Sequence, residues 1–172
     1  TAQYEHNPRV DGDGVRRLVY QLSYSGADSN IAGSAACTVT QNFRDAAAHY
    51  DEKVCFNADG LKIYSQRGDA IEHWGYDGQG MISVFTDGNG NIASYRYDGR
   101  RRLIEEIMPD TAWRTVKAYT YEDNFNRMTS QTETVTSLAD PAAPAYVRAT
   151  AYAIDQANGN IVSVTDPLGN VE

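Results

Sequence analysis

The sequence predicts an all-β chain of consecutive antiparallel β-hairpins that pair into a twisted, curved sheet. Three observations carry this. A Tyr-Asp word recurs with a spacing near twenty residues, first as Tyr76-Asp77-Gly78-Gln79-Gly80 and again from Tyr97-Asp98. Twelve of the eighteen aromatic residues are Tyr, whose ring suits a pleated, half-buried surface while its hydroxyl stays wet. From Lys53 onward, short β-prone runs are bounded by Gly, Asn, Asp or Pro, the punctuation of a hairpin series.

The N-terminal part, residues 1–49, reads as a lead-in with one strand and a short helical turn. Asn7-Pro8 and Asp11-Gly12-Asp13-Gly14 are turn chemistry. Leu18, Tyr20, Leu22 and Tyr24 alternate with Val19, Gln21 and Ser23, the period-two signature of a half-buried strand. Gly26 to Ala36 is small and polar and suits a surface loop. Asn42 to His49 has helical character, with Asn42 as cap and Ala46-Ala47-Ala48 to propagate it.

Residues 50–172 form the repeat array. Its first copy runs from Tyr76 to Asp87 and its second from Tyr97 to Pro109-Asp110, separated by the turn signal Asp87-Gly88-Asn89-Gly90-Asn91. Weaker copies flank them: Phe56-Asn57-Ala58-Asp59-Gly60 upstream, then Tyr121-Glu122 with Asn126-Arg127-Met128, and Ile154-Asp155 with Asn158-Gly159-Asn160 downstream. The anchor of each copy falls at Gly60, Gly80, Arg101, Asn126 and Gly159, spaced by 20, 21, 25 and 33 residues. Glycine there supplies a positive φ, and Asn126 is the next most tolerant residue for it. Arg101 is a poor fit, so Gly99 is expected to take over that bend. Asp98 is placed to accept a backbone amide in its turn, and equivalent Tyr rings are placed to stack between hairpins. The stretch 136–148, with Pro141 and Pro144, reads as an exposed insertion that stretches the last spacing.

These residues resemble the YD-repeat, or RHS-repeat, family, whose pattern is a Tyr-Asp pair, Gly-Arg-Leu, a β-prone run and Asp-Pro-x-Gly. The Tyr76 and Tyr97 copies match it, as does Ser163-Val164-Thr165-Asp166-Pro167-Leu168-Gly169-Asn170. The repeat-signature residues are Tyr76, Asp77, Gly80, Asp87, Tyr97, Asp98, Tyr121, Asn126, Asp155, Gly159, Asp166 and Pro167. Departures are Arg101 for Gly, Glu122 for Asp and Ile154 for Tyr. The words from Arg16 to Ser25 also resemble the region before the repeats in the shell-forming component of Tc-type insecticidal toxins. The resemblance implies that the sheet is a segment of a hollow β-shell, which encloses or displays a toxin or effector domain. It implies a non-catalytic scaffold in a secreted or cell-surface protein, with the rest of the array as partner and the export signal outside this stretch. The alternative is a carbohydrate- or protein-binding module on a cell surface, using Trp74 or Trp113.

Composition limits the other classes. Fifteen Lys and Arg against twenty-three Asp and Glu give a net charge of -8, which opposes binding to nucleic-acid phosphates. No apolar run approaches a membrane span. Asp87-Gly88-Asn89-Gly90-Asn91 places oxygens as calcium loops do, but Ile92 and Asp98 stand where the loop needs Gly and Glu. Asp45 and His49 have a two-ligand spacing without a third ligand at a recognisable distance. No Gly-x-Ser-x-Gly elbow, phosphate loop or Cys-x-x-Cys occurs, so neither enzyme activity nor a cofactor is expected. Cys37 and Cys55 are either two separate buried thiols or a disulfide that closes a loop of about eighteen residues. The strand from Ile161 to Thr165 is expected to lack a partner on one side, an edge at which copies would associate.

Overall fold

The computed structural model describes residues 5–10, 16–42, 51–108 and 112–172. The chain divides into two compact units, Thr1–Gly90 and Asn91–Glu172. In the first unit the strands are β1 (Glu5–Val10), β2 (Arg16–Gly26), β3 (Ala36–Asn42), β4 (Asp51–Phe56), β5 (Lys62–Arg67), β6 (Ala70–Tyr76) and β7 (Ile82–Thr86). Each pairs antiparallel with the next in chain order. In the second unit β8 (Ile92–Tyr97), β9 (Leu103–Met108), β10 (Trp113–Tyr121), β11 (Met128–Ser137), β12 (Tyr146–Ile154) and β13 (Ile161–Thr165) follow the same rule.

The lead-in is richer in strand than its letters suggest. Besides β2 it contains β1 and β3, so three strands replace the one expected before residue 50. Thr38, Val39 and Thr40 give β3 the branched side chains that pack on a pleated surface, and every residue of β3 from Ala36 to Asn42 pairs with β2. Asn42 therefore ends a strand instead of capping a helix. The rest of the expected helical stretch, with Asp45 and His49, lies outside the described residues, as do Asp11-Gly12-Asp13-Gly14 and Pro109-Asp110. Pro8 sits within β1 next to a register irregularity between His6 and Pro8. A residue without an N–H is tolerated at such a place.

The insertion is shorter than 136–148. Thr136 and Ser137 pair with Arg114 and Trp113, and Tyr146, Val147 and Arg148 pair with Val135, Thr134 and Glu133. Only 138–145 is loop, because the prolines interrupt pairing at 141 and 144 alone while the flanking Thr, Tyr and Val favour strand.

Little is fully buried. Among the described residues the buried apolar set is Cys37, Cys55, Tyr64 and Ala93, with Ile31 and Ile63 packed against the first three. Cys37 stands opposite Cys55, Cys55 opposite Tyr64, Tyr64 opposite His73 and His73 opposite Thr86, one row of side chains across β3 to β7. Cys37 and Cys55 are bonded as a disulfide, with Cα atoms 4.1 Å apart. That short separation belongs to a non-hydrogen-bonded antiparallel pair, where side chains approach most closely. Tyr64 meets the His73 ring edge-on, with centroids 5.2 Å apart.

In the second unit, charge pairs mark the register. Arg96 lies opposite Glu105, Lys117 opposite Glu106 and Arg148 opposite Glu133, and each is an ion pair. Exposed pairs of this kind contribute about 0.2–1 kcal/mol each, and a slip by one residue in either direction would set Arg148 against a Thr in place of Glu133. At the C-terminal end, Val164 exchanges both backbone hydrogen bonds with Glu172, at 2.9 and 3.0 Å, and Thr165 bridges Val171. The side of β13 away from β12, expected to be bare, is paired there by the chain itself.

The repeat turn as candidate functional site

Five hairpins share one construction. Register shifts fall between Cys55 and Phe56, Gly75 and Tyr76, Arg96 and Tyr97, Thr120 and Tyr121, and Ala153 and Ile154. The second residue of each pair is the aromatic or Ile that opens the repeat word. It pairs with Lys62, Ile82, Leu103, Met128 and Ile161 respectively, two positions beyond the anchor in each copy. A bulge at this place twists the strand as it enters the turn.

The next residue holds the turn closed. Asp77 Oδ1 accepts the N–H groups of Gln79 and Met81 at 2.8 and 2.9 Å, while the Asp77 N–H donates to the Met81 carbonyl and the Gly80 N–H to the Asp77 carbonyl. Asp98 does the same with Arg100, Arg102 and Arg101, and Asn57 with Asp59, Leu61 and Gly60. Asn57 shows that an amide oxygen suffices. Asp166 accepts from Leu168 and Asn170, and Pro167, directly after Asp166, fills the one position of the turn from which no N–H is required. Asp87 Oδ1 accepts from Asn89 at 2.8 Å and the Gly90 N–H donates to the Asp87 carbonyl, so this calcium-like word is built as a turn. Among the described residues, no three His, Cys, Asp or Glu side chains gather as metal ligands.

Two copies have a turn one residue longer. Glu122, a departure in sequence, reaches across it and accepts from the N–H groups of Asn124, Phe125 and Arg127. Asp155 shares the work: it accepts from Ala157, and Asn158, itself held by Asp155, accepts from Asn160. The extra methylene of Glu122 matches the extra residue.

Every anchor has positive φ: 78° at Gly60 and Gly80, 64° at Arg101, 56° at Asn126 and 76° at Gly159. Arg101 adopts the left-handed conformation itself, and Gly99 does not take over the bend. The hydrogen bonds that Asp98 accepts from the Arg100 and Arg102 N–H groups, on both sides of Arg101, hold its φ in place, which overrides the local cost of a β-carbon.

Side chains also tie each turn to a neighbour in its unit. The Tyr76 hydroxyl donates to the Lys62 carbonyl at 2.6 Å, and the Tyr121 hydroxyl to the Leu103 carbonyl at 2.8 Å. Both acceptors lie two residues past the preceding anchor. For these two tyrosines the contact is a hydroxyl clamp, in place of the ring stacking expected from sequence. Burial pushes both phenols above their ordinary pKa.

The residue after the anchor reaches forward. Arg102 donates to the Glu122 carbonyl at 3.0 Å, to Asn126 Oδ1 at 3.2 Å and to Asp123, with its guanidinium 4.9 Å from the centre of the Tyr121 ring. Arg127 donates to the Gly159 carbonyl at 3.1 Å. Leu61 does this without charge, its Cδ1 lying 3.8 Å from where a β-carbon on Gly80 would stand. Phe125 covers Gly159 so closely that a β-carbon there would sit 2.6 Å from the ring. Sequence reasoning missed Leu61, Arg102, Phe125 and Arg127. The signal available for three of them was their fixed place, one after the anchor.

Trp74 and Trp113 differ in access. Lys62 Nζ lies 3.8 Å from the centre of the Trp74 ring and Phe85 packs beside it, with centroids 5.3 Å apart. Two grooves of about 540 and 420 Å³ adjoin Trp74 and share Ala32, Ile63 and Gly75 in their lining. Trp113 is 51% exposed.

A bulge, a carboxylate or amide closing the turn, a left-handed anchor and a forward side-chain link, repeated from hairpin to hairpin, define a structural β-hairpin repeat. Residues 73–112 match the RHS repeat family. The chain is also similar to human Teneurin-4, with 31% identity over 75 residues, which is 41% of this chain and 3% of that protein. The chain thus spans a small fraction of the length of this curated relative.

Gly159 and Gly80 share a backbone conformation but not a neighbourhood. Gly159→Ala combines left-handed strain with collision against Phe125 and should cost about 3 kcal/mol or more, whereas Gly80→Ala should cost about 1 kcal/mol. Arg101→Gly should stabilise by up to about 1 kcal/mol. Urea midpoints check all three, and equal losses at the two glycines would refute the contact with Phe125.

The turn carboxylates set a pH limit. The Arg102 backbone N–H, and then its side chain, holds the Asp98 carboxyl below the usual range; the Arg127 N–H does so for Glu122, and the Asn170 side chain and N–H for Asp166. Their folded pKa is depressed, so their contribution is present above the unfolded value of about 4 and is lost as pH falls through the folded value. The raised phenols of Tyr76 and Tyr121 act oppositely: stability is full below about pH 10 and is lost as pH rises beyond it. Melting temperature should be flat between these limbs. Asp98→Asn keeps an acceptor oxygen and should shallow the acid limb, so an unchanged limb in that variant would count against the assignment.

Proposed function

We propose that this chain is a non-catalytic wall segment of a secreted or cell-surface YD/RHS-repeat protein, whose larger β-shell encloses or displays a toxin or effector domain. The observation that carries the reading is the turn-to-turn stitching by Tyr76, Leu61, Arg102, Tyr121 and Arg127, which spends side chains on joining hairpins. Support for an exported protein comes from the Cys37–Cys55 disulfide, a bond that persists in oxidising compartments. The partners in this reading are the rest of the repeat array and the enclosed domain.

The test is made in the parent protein. Asp77→Ala and Asp98→Ala each remove a turn acceptor and should render a domain held by the repeats sensitive to limited proteolysis under conditions where the unaltered parent protects it. Equal protection in parent and variants would overturn the wall reading. Trp113, the more exposed tryptophan, is the residue on which a carbohydrate- or protein-binding role would depend. Binding on a glycan array that vanishes with Trp113→Ala would favour that role instead.

A further inference from the structure

The Cys37–Cys55 disulfide is covered from one side by the segment joining β2 to β3. On sheets whose side chains are mostly half exposed, the two cysteines are 1% and 0% exposed. Ile31, from residues 27–35, packs against them together with Ile63 of β5. The segment is folded on itself: the Asn30 N–H donates to Asp28 Oδ1, the Ile31 N–H to the Asp28 carbonyl, the Asp28 N–H to Ser34 Oγ and the Ser34 N–H to the Ile31 carbonyl. It is tied down at two places. Asp28 pairs with Lys53 of β4, and the Ala35 N–H donates to the Phe56 carbonyl at 2.8 Å. Ser34 Oγ lies 3.4 Å from Cys37 Sγ.

We propose that residues 27–35 are a strap that governs chemical access to this disulfide, making the first unit a redox-sensitive lock that opens without unfolding. The fastenings of the strap are weak. Its ion pair is partly solvated, with side chains 19% and 29% exposed, so salt weakens it in part, and Ile31 is its one apolar contact with the buried cluster. Such a segment opens at a lower free energy than the sheet beneath it. Once it lifts, a thiolate of an external dithiol attacks Cys55 Sγ. The electron pair of the S–S bond leaves on Cys37 Sγ, beside the Ser34 hydroxyl that donates to it, and that thiolate then takes a proton from solvent. The second thiol of the reagent attacks the mixed disulfide and expels Cys55 as a thiolate. The reagent ends as its cyclic disulfide, oxidised by two electrons, and the protein as two thiols. Reduction frees β3 from its covalent tie to β4 while the paired backbones remain.

The experiment follows reduction of the full chain by dithiothreitol under native conditions, quenched with iodoacetamide and read by mass. Asp28→Asn and Ile31→Ser should each speed reduction about tenfold or more, and added sodium chloride should speed it in the unaltered chain. In low urea the rate should be nearly constant, since local opening exposes little surface. Rates unchanged in the variants, or a rate that rises with urea along the slope of global unfolding, would overturn the strap. If Ile31→Ser fails to fold, Asp28→Asn and the urea dependence decide the matter.

Discussion

The interaction on which these sheets depend is a side-chain oxygen that accepts two backbone N–H groups across a turn. A five-residue hairpin loop turns those donors away from the strand ladder, and unpaired amides are costly wherever water is excluded. Asp77, Asp98 and Asn57 satisfy them with one atom each, and doing so fixes the loop length, the left-handed anchor and the residue at which pairing resumes. In a sheet with a thick apolar core, burial would decide register. Here the described core is four apolar side chains, so register rests largely on the turns and, in the second unit, on the charges facing each other across strands.

Stability of this kind is distributed. Each repeat contributes its own turn, and three of the five, those anchored at Gly60, Arg101 and Asn126, reach forward to the next, close to the nearest-neighbour behaviour of repeat proteins. The links differ in chemistry but not in place: Leu61 is apolar, while Arg102 and Arg127 donate to carbonyls of the following turn. Arginine has an advantage at such a site because its fork reaches several acceptors at once, as Arg102 does with Asp98, Glu122, Asp123 and Asn126.

What the sequence disclosed and what it concealed follow from one distinction. Turn chemistry is local, so the hairpins, the anchors at Gly80, Asn126 and Gly159, and the role of Asp98 could be read from letters. Where a non-local contact decides, the letters misled. Arg101 looked incompatible with the bend, because the bonds made by Asp98 on either side of it are invisible in composition. Glu122 looked like a lapse, because its fitness depends on a loop one residue longer. β1 and β3 were passed over because their pairing partners, and not their own periodicity, make them strands. The cysteines showed spacing without register; only their position opposite one another across β3 and β4 makes the bond. Arg102, Phe125 and Arg127 touch residues more than twenty positions away, so their contacts could not be read from any one repeat word.

In the second unit, successive hairpins place the closed turns 98–102, 122–127 and 155–160 along one margin and the loop 138–145 on the other. The first margin is sewn, each turn fastened to the next, so a residue added there must be matched by a longer closing side chain or a second acceptor, as Glu122 and the Asp155–Asn158 pair provide. At the other margin β11 and β12 run long, and the loop that joins them is held to its neighbour by one backbone bond, from the Leu138 N–H to the Ala112 carbonyl at 2.9 Å. The spacing of 33 residues shows that length added there leaves the hem intact. Such a fold can acquire a new loop, and whatever it comes to recognise, between β11 and β12.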